Sequence, residues 1–409
     1  MDIKYTQEQL ESFEEMTVEN LIAKESDLIQ KIKIGLIDKK ELLDKARYKL
    51  KEYAPGIADE EMQRVVENIE LKALKLGKIT HLIEREDISD IKFLAYDNIR
   101  IKRRLTKEET KARGKKMDRE PSGVSFKDQM EYERFIRQVA TKNRSSLSNA
   151  NAEQIITDRN TSDKFILRIA IGTKFISSVE QHYMHIRKIP KFKRTIDDLA
   201  LDGFMSDEEK EYLKKGMNKG LSYIICAKGS AGKTSLFNAL LEEFPHNKAG
   251  LIIQETPELF TLDHPEMMFL NVTNNDNDEN SINYTLKEHS VWGLKVDTDL
   301  FGIGEITGDE AYYFANACYT GYQAIASLHS FNARGALEKL NHYAERNIMP
   351  MLEDIDGAIY LENFEIKEIS EIAGYDLKTK TIIYNDLFRD HKKINESCDK
   401  VKRKLNREG

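Results

Sequence analysis

The sequence predicts an α/β protein in three parts: a helical N-terminal segment, a smaller α/β domain, and a larger domain on a largely parallel sheet. Three observations predict it. Short apolar runs alternate with helical runs from Tyr223 to Ala344, the pattern of a parallel sheet covered by helices. A strand-like run, a glycine-containing loop and a helix follow one another over residues 223–244. From about Thr6 to Ala73 the apolar residues instead recur at helical spacing among Lys and Glu.

The chain has 409 residues, which sets a prior of two to three domains. Its charge is −7, with 63 Lys and Arg against 70 Asp and Glu. With 21 Gly and 7 Pro, collagen-like and linker-like classes are excluded. Three cysteines, Cys226, Cys318 and Cys398, make no disulfide framework and fit a reducing compartment. No apolar run approaches the roughly 18 residues of a membrane span. The opening Met1-Asp2-Ile3-Lys4 leads into acidic residues rather than a signal-peptide core. A secreted scaffold, an integral membrane protein and a basic DNA-binding chain are not expected.

Leu21, Ile22, Leu28, Ile29, Ile32 and Ile34 give the first segment an amphipathic helical face. Pro55-Gly56 interrupts it, and a new helix starts at Ala58. From Ile88 the period shortens: Ile91, Phe93, Leu94, Ile99 and Ile101 flank Tyr96-Asp97-Asn98 as a hairpin. Arg103 to Glu120 is charged with mixed signs and reads as a mobile loop. A helix over Phe126–Ala140 and a buried strand over Phe165–Ile171 follow. Pro190 and the basic run Lys191–Arg194 mark a boundary. Ser206-Asp207-Glu208-Glu209 then fits a capping box. Asn274–Asn280 is a polar loop, and Lys400–Arg407 reads as a solvated tail. The parts are 1–74, 75–190 and 191–409.

The segment most informative for chemistry is Tyr223-Ile-Ile-Cys-Ala-Lys-Gly-Ser-Ala-Gly-Lys-Thr-Ser235. It meets the phosphate-loop pattern G-x-x-x-x-G-K-[ST] except that Ala227 stands first. Lys228, Gly229, Ser230, Ala231 and Gly232 would wrap a phosphate chain in backbone N–H groups. Lys233 would reach the β- and γ-phosphates, and Thr234 would hold Mg²⁺ beside Ser235. Gly-Lys-Thr alone is weak; the flanking strand and helix make it specific. No Asn-Lys-x-Asp guanine signature is present, which counts against a GTPase; a small-molecule kinase stays possible on the phosphate loop alone.

Three more strands end in polar residues. Glu255 and Glu258 follow Leu251–Ile253, Glu305 follows Leu300–Ile303, and His329 follows Ala324–Leu328. In a parallel sheet such ends converge on the ligand. A carboxylate there can polarise an attacking water or hold Mg²⁺ through water. Each alone is as readily a solvated loop or a structural histidine; together after one phosphate loop they form a candidate site. His182 and His185 have no further converging ligands in the sequence and are not read as a metal pair.

These motifs resemble those of the type II and type IV secretion ATPases, in particular the CpaF-like Tad pilus and conjugative type IV branch. The Asp box is matched by Gln254-Glu255-Thr256-Pro257-Glu258-Leu259, and the Walker B region by Gly304-Glu305-Ile306-Thr307-Gly308-Asp309-Glu310-Ala311. Thr320-Gly321-Tyr322 with Leu328-His329-Ser330 matches the His box. Ile186-Arg187-Lys188 and the strand carrying Arg168 resemble the family's arginine-bearing segments. The resemblance runs from about Leu74 to Leu387. Departures are Ala227 for Gly, Gln254-Glu255 for Glu-Asp, Thr307 for Arg, Tyr322 for His, and Lys295 at an often-arginine position.

The resemblance implies a RecA-like phosphate-loop ATPase domain and a homohexamer using ATP and Mg²⁺. It implies Glu258 as catalytic carboxylate, Glu305 as Walker B acid, and His329 as γ-phosphate sensor. Arg168 and Arg187 would reach the γ-phosphate when the N-terminal and phosphate-loop domains close. It further implies a position at the cytoplasmic face of the membrane, peripheral to it. The partner would be an inner-membrane platform or channel protein, with no direct nucleic-acid contact. Two alternatives stay open: a DNA translocase or helicase, and a weakly hydrolysing assembly scaffold.

Overall fold

The computed structural model describes residues 4–229, 231–272 and 284–407. The chain divides into two compact units, Met1–Phe192 and Lys193–Gly409.

The first unit opens with four helices, α1 (Gln7–Lys24), α2 (Ser26–Lys33), α3 (Lys40–Tyr53) and α4 (Asp59–Leu74). Thr6 and Gln9 form a reciprocal cap on α1, and Asp59, Glu60 and Glu61 complement the dipole at the start of α4. Val18, Leu21, Ile29, Leu42, Leu50 and Val66 are buried between these helices.

After α5 (Thr80–Glu84) comes an antiparallel sheet of β1 (Ile88–Ala95), β2 (Asn98–Arg104), β3 (Met117–Pro121), β4 (Glu153–Asp158), β5 (Phe165–Gly172) and β6 (Tyr183–Pro190). The strand order is β3-β2-β1-β6-β5-β4. Two helices intervene, α6 (Lys107–Arg113) and α7 (Gln129–Lys142). Tyr132, Ile136 and Val139 of α7 join Phe93, Leu167, Ile169 and Ile186 in one buried cluster, which lies against one sheet face. The expected hairpin is present, with Phe93 paired to Ile99. The strand over residues 165–171 alternates in burial instead of being wholly buried, so its second face is open to other work.

The charged stretch 103–120 is not a mobile loop. It holds α6 and β3, because Arg103 gathers Glu109 (2.6 and 2.9 Å) and Glu120 into one ion-paired corner. Mixed signs that read as a solvated run are partners once folded.

Helices and sheet of this unit meet around buried charge. Lys142 Nζ donates to the carbonyls of Lys75 (2.8 Å) and Lys72. Lys33 Nζ donates to Thr161 Oγ1 (2.9 Å) and lies 3.7 Å from Asp158. Burial, reinforced by Lys33 nearby, pulls the Lys142 amine down to about 7.

The second unit begins with α8 (Ile196–Leu201) and α9 (Asp207–Asn218), the latter capped by Ser206 and Glu209 as expected. Then follow β7 (Tyr223–Ala227), α10 (Lys233–Glu242), β8 (Gly250–Gln254), β9 (Met267–Asn271), α11 (Leu286–Gly293), β10 (Leu300–Ile303), α12 (Glu310–Tyr319), β11 (Gln323–His329) and α13 (Ala333–Tyr343). Strands β12 (Gly357–Glu362), β13 (Glu365–Asp376), β14 (Thr381–Arg389) and β15 (Lys392–Lys393), with α14 (Asp399–Leu405), close the chain.

The sheet order is β15-β14-β13-β12-β7-β11-β10-β8-β9. The run from β12 to β9 is parallel, and β13 to β15 extend it antiparallel. β7 is central and wholly buried, as a parallel strand covered on both faces must be. Ile225, Leu236, Phe237 and Leu240 fill one face, and Ile224, Phe301, Phe314 and Leu337 the other. Each fully buried Leu or Phe contributes about 1.5–3 kcal/mol. Gly302 permits close strand packing, since a Cβ there would meet Ile252 at 2.4 Å.

The C-terminal basic run is not a solvated tail. Val401 is buried, and Lys400 and Lys404 reach the fully buried Asp356 at 3.3 and 2.7 Å. The expected polar loop Asn274–Asn280 lies outside the described residues. Among the described residues no helix is long and apolar enough to cross a membrane.

Candidate active site

The C-terminal ends of β7, β8, β10 and β11 set the site. His329 is the register partner of Ala227, so the β11 end stands beside the start of the phosphate loop. Ala227 is the last residue of β7 and is not among the positive-φ residues; its methyl is buried without strain.

The loop then passes Lys228, Gly229 and Ala231 to Gly232; Ser230 lies outside the described residues. Gly232 has φ +100° and caps α10. A Cβ there would meet Phe204 at 2.7 Å and Phe364 at 3.2 Å, so both conformation and space demand glycine. Lys228 lies 3.7 Å from Glu362 and over the Phe331 ring. The first turn of α10 presents Lys233, Thr234 and Ser235.

Lys233 is buried, with Nζ 3.1 Å from His329 Nδ1. His329 Nε2 is 2.9 Å from Glu305 Oε1. His329 Nδ1 also lies 3.2 Å from the Ala227 carbonyl, so the ring sits between Lys233, that carbonyl and Glu305.

Thr234 Oγ1 donates to Glu258 Oε2 at 3.2 Å. Two side chains position the Glu258 turn. Gln254, almost wholly buried, accepts from the N–H groups of Glu258 (3.0 Å) and Leu259 (2.8 Å) and donates to the Leu259 carbonyl (3.0 Å). Asn238 of α10 donates to the Glu258 carbonyl (2.8 Å) and accepts from Phe260 N–H (3.1 Å). Neither residue was legible as part of the site. Gln254 reads only as a departure from an acid, and Asn238 as one polar position on a helix. Glu255 is exposed and makes no hydrogen bond or ion pair with this cluster.

The turn after Glu305 is braced by Glu310, whose Oε1 accepts from the N–H groups of Thr307 and Gly308. Ser327 Oγ donates to the Gly304 carbonyl at 2.6 Å, tying β11 to the end of β10.

Lys233, Thr234, Glu258, Glu305 and His329 are thus brought together on the second unit in two hydrogen-bonded sets, Lys233–His329–Glu305 and Thr234–Glu258, that start from adjacent residues of α10. The donor set suits a magnesium-bound polyphosphate: a helix N-terminus, a buried ammonium, a hydroxyl and two carboxylates. Arg168 and Arg187 belong to the first unit. They are register partners across β5 and β6, and Arg187 Nε lies 3.8 Å from Asp90 Oδ1. Burial would raise the Asp90 carboxyl, but its bonds to His185 and Ser89 and the charge of Arg187 outweigh that and hold it at about 2.

An uncharacterized protein of Methanocaldococcus jannaschii is 23% identical over 277 residues, covering 66% of this chain and 49% of that protein. The type IV secretion system protein VirB11 of Brucella suis is 25% identical over 178 residues, covering 38% of this chain and 49% of that protein. The chain spans about half the length of these two relatives. The X-ray structure of the Legionella pneumophila ATPase DotB is similar at TM-score 0.50 and 12% identity, covering 79% of this chain and 80% of that one. The Yersinia pseudotuberculosis ATPase DotB is similar at TM-score 0.50 and 16% identity, covering 78% and 80%. These likenesses are of fold: N-terminal helices, a smaller α/β part and a larger RecA-like sheet domain. The family described as type II/IV secretion system protein matches residues 149–355, more than half of the 409 residues, and the chain belongs to that family.

Proposed function

We propose that this chain is an ATPase that couples hydrolysis to mechanical work in a type II or type IV secretion, pilus or conjugation apparatus. The observation that carries the reading is the linked set Lys233–His329–Glu305 and Thr234–Glu258 at the ends of four parallel strands. Lys233 and the loop amides hold the β- and γ-phosphates, and Thr234 and Glu305 hold Mg²⁺. Bound Mg-ATP supplies the phosphoryl group that is transferred to water.

Glu258 orients and deprotonates the attacking water. Gln254 and Asn238 fix its backbone, so its carboxylate is placed before the nucleotide arrives. His329 reports the state of the phosphate end to Glu305, because Lys233 cannot bind phosphate and keep its Nδ1 contact unchanged. Arg168 and Arg187 offset charge on the transferring group. We assign Lys228, Gly229, Ser230, Ala231, Gly232 and Ser235 to phosphate binding; Glu255 has the weakest support.

Within the family we place the chain on the CpaF-like Tad and conjugative branch, on the Ile186-Arg187-Lys188 motif and the helical N-terminal segment. A homohexamer at the cytoplasmic face of the membrane, docked on an inner-membrane platform or channel protein, is the working assembly. Binding of a fluorescent ATP analogue to wild type and Lys233→Ala tests the site. Loss of binding is expected; retained binding overturns the assignment.

A further inference from the structure

The segment that carries Glu258 has no regular structure of its own. Residues 255–266, between β8 and β9, form neither helix nor strand, so their place is set by what they touch. Much of that contact comes from one face of α10. Thr234, Asn238 and Glu242 stand four residues apart and line one side of the helix. From the phosphate end outward they meet successive points of the segment. Thr234 Oγ1 donates to Glu258 Oε2 at 3.2 Å. Asn238 donates to the Glu258 carbonyl (2.8 Å) and accepts from Phe260 N–H (3.1 Å). Glu242 Oε1 accepts from Leu262 N–H at 3.2 Å.

A side chain from outside both elements closes the far end of this row. Lys193 is the first residue of the second unit, and its side chain is only 1% exposed. Its ammonium donates to Glu242 Oε1 and to the Phe260 carbonyl, and it lies 5.3 Å from the centre of the Phe260 ring. Phe260 is two residues beyond Glu258. Its N–H is thus held by α10, and its carbonyl and ring by the residue through which the chain enters the unit. Burying an ammonium is costly unless its charge is paired and hydrogen-bonded. The neighbouring Arg194 takes the ordinary course for a surface cation and bonds to Asp202 and the Asp198 carbonyl. In sequence Lys193 reads only as one member of a basic boundary run.

We propose that Lys193 is a positioning residue for ATP hydrolysis: through Glu242 and Phe260 it fixes the segment carrying Glu258, and it ties the place of that carboxylate to the chain entering the unit. This role rests on the ATPase reading. A misplacement of about 1 Å at a reacting group can cost on the order of 10²-fold in rate. Loss of the Lys193 contacts is therefore felt in turnover. Nucleotide affinity, which rests on the phosphate loop, is spared.

The test is steady-state ATP hydrolysis by the purified full chain, with binding of a fluorescent ATP analogue measured on the same samples. Lys193→Met is expected to lower kcat roughly tenfold or more, with KM and analogue affinity within about threefold of wild type. In the Glu258→Gln background the same substitution should change the residual rate by less than about twofold, because the group it places is already lost. A merely structural lysine would lower both rates alike. Lys193→Met with Glu242→Gln leaves no buried charge unpaired and keeps an acceptor for Leu262 N–H, so it carries the same test where the single variant fails to fold. Unchanged kcat, equal loss in both backgrounds, or loss of analogue binding in step with kcat overturns the proposal and leaves the ATPase reading standing. A wild-type chain that binds the analogue but does not hydrolyse ATP overturns both.

Discussion

Arg168 lies directly opposite Arg187 across the β5–β6 ladder. Like charges in that position destabilise a sheet by about 0.2–1 kcal/mol, and the protein keeps both. Asp90 offsets one of them from β1. Arg168→Gln should therefore raise the melting temperature slightly while lowering kcat for ATP hydrolysis at least tenfold. A variant that loses stability and keeps its turnover contradicts the assignment of this pair to the phosphoryl group.

Gln254 is a positioning residue. Gln254→Ala leaves two buried N–H groups without an acceptor, at about 1–3 kcal/mol each. Stability should fall by that order, and kcat should fall more than nucleotide affinity changes. Gln254→Glu keeps an acceptor for both N–H groups but turns a carboxylate oxygen toward the Leu259 carbonyl in place of the amide donor and buries a charge, so it should not restore wild-type stability. Unchanged stability in Gln254→Ala contradicts the hydrogen-bond account.

His329 joins Lys233 to Glu305. His329→Ala removes both contacts, and His329→Asn restores a smaller donor and acceptor. ATP binding by calorimetry should survive in both, with kcat reduced at least tenfold in the alanine variant. Unchanged kcat in His329→Ala removes the ring from the mechanism.

Lys142 gives a pH signature. Its amine is held at about 7 in the fold, against about 10.4 in the unfolded chain. Between these values the unfolded state binds more protons, so stability rises with pH. The slope is at most about 1.4 kcal/mol per pH unit for one proton, and the contribution is absent below about pH 7. Lys142→Met should flatten denaturant stability between about pH 7 and 10. An unchanged slope contradicts a neutral buried amine.

Much of this arrangement was legible in the residues. Tyr223–Cys226, Leu251–Ile253, Leu300–Ile303 and Ala324–Leu328 are apolar runs at the observed strands, because parallel strands are buried on both faces. What stayed hidden depends on distant partners. Lys400 and Lys404 look solvated until Asp356 is placed beneath them. Residues 103–120 look like a loop until Arg103 pairs with Glu109 and Glu120. Gln254 looks like a lost acid until the two N–H groups it serves are in view. Glu258, Glu305 and His329 were visible as strand ends, but the hydrogen bonds that join them to Lys233 and Thr234 required the register of β7 and β11.

The central claim is that Glu258 activates water for ATP hydrolysis beside Thr234. Steady-state hydrolysis by the purified chain, measured with ATP binding on the same samples, tests it most directly. Glu258→Gln keeps the shape and the Thr234 contact but removes the base. The account predicts ATP binding within about twofold of wild type and kcat lower by roughly 10²–10⁴. Turnover equal to wild type in Glu258→Gln, with binding intact, contradicts it.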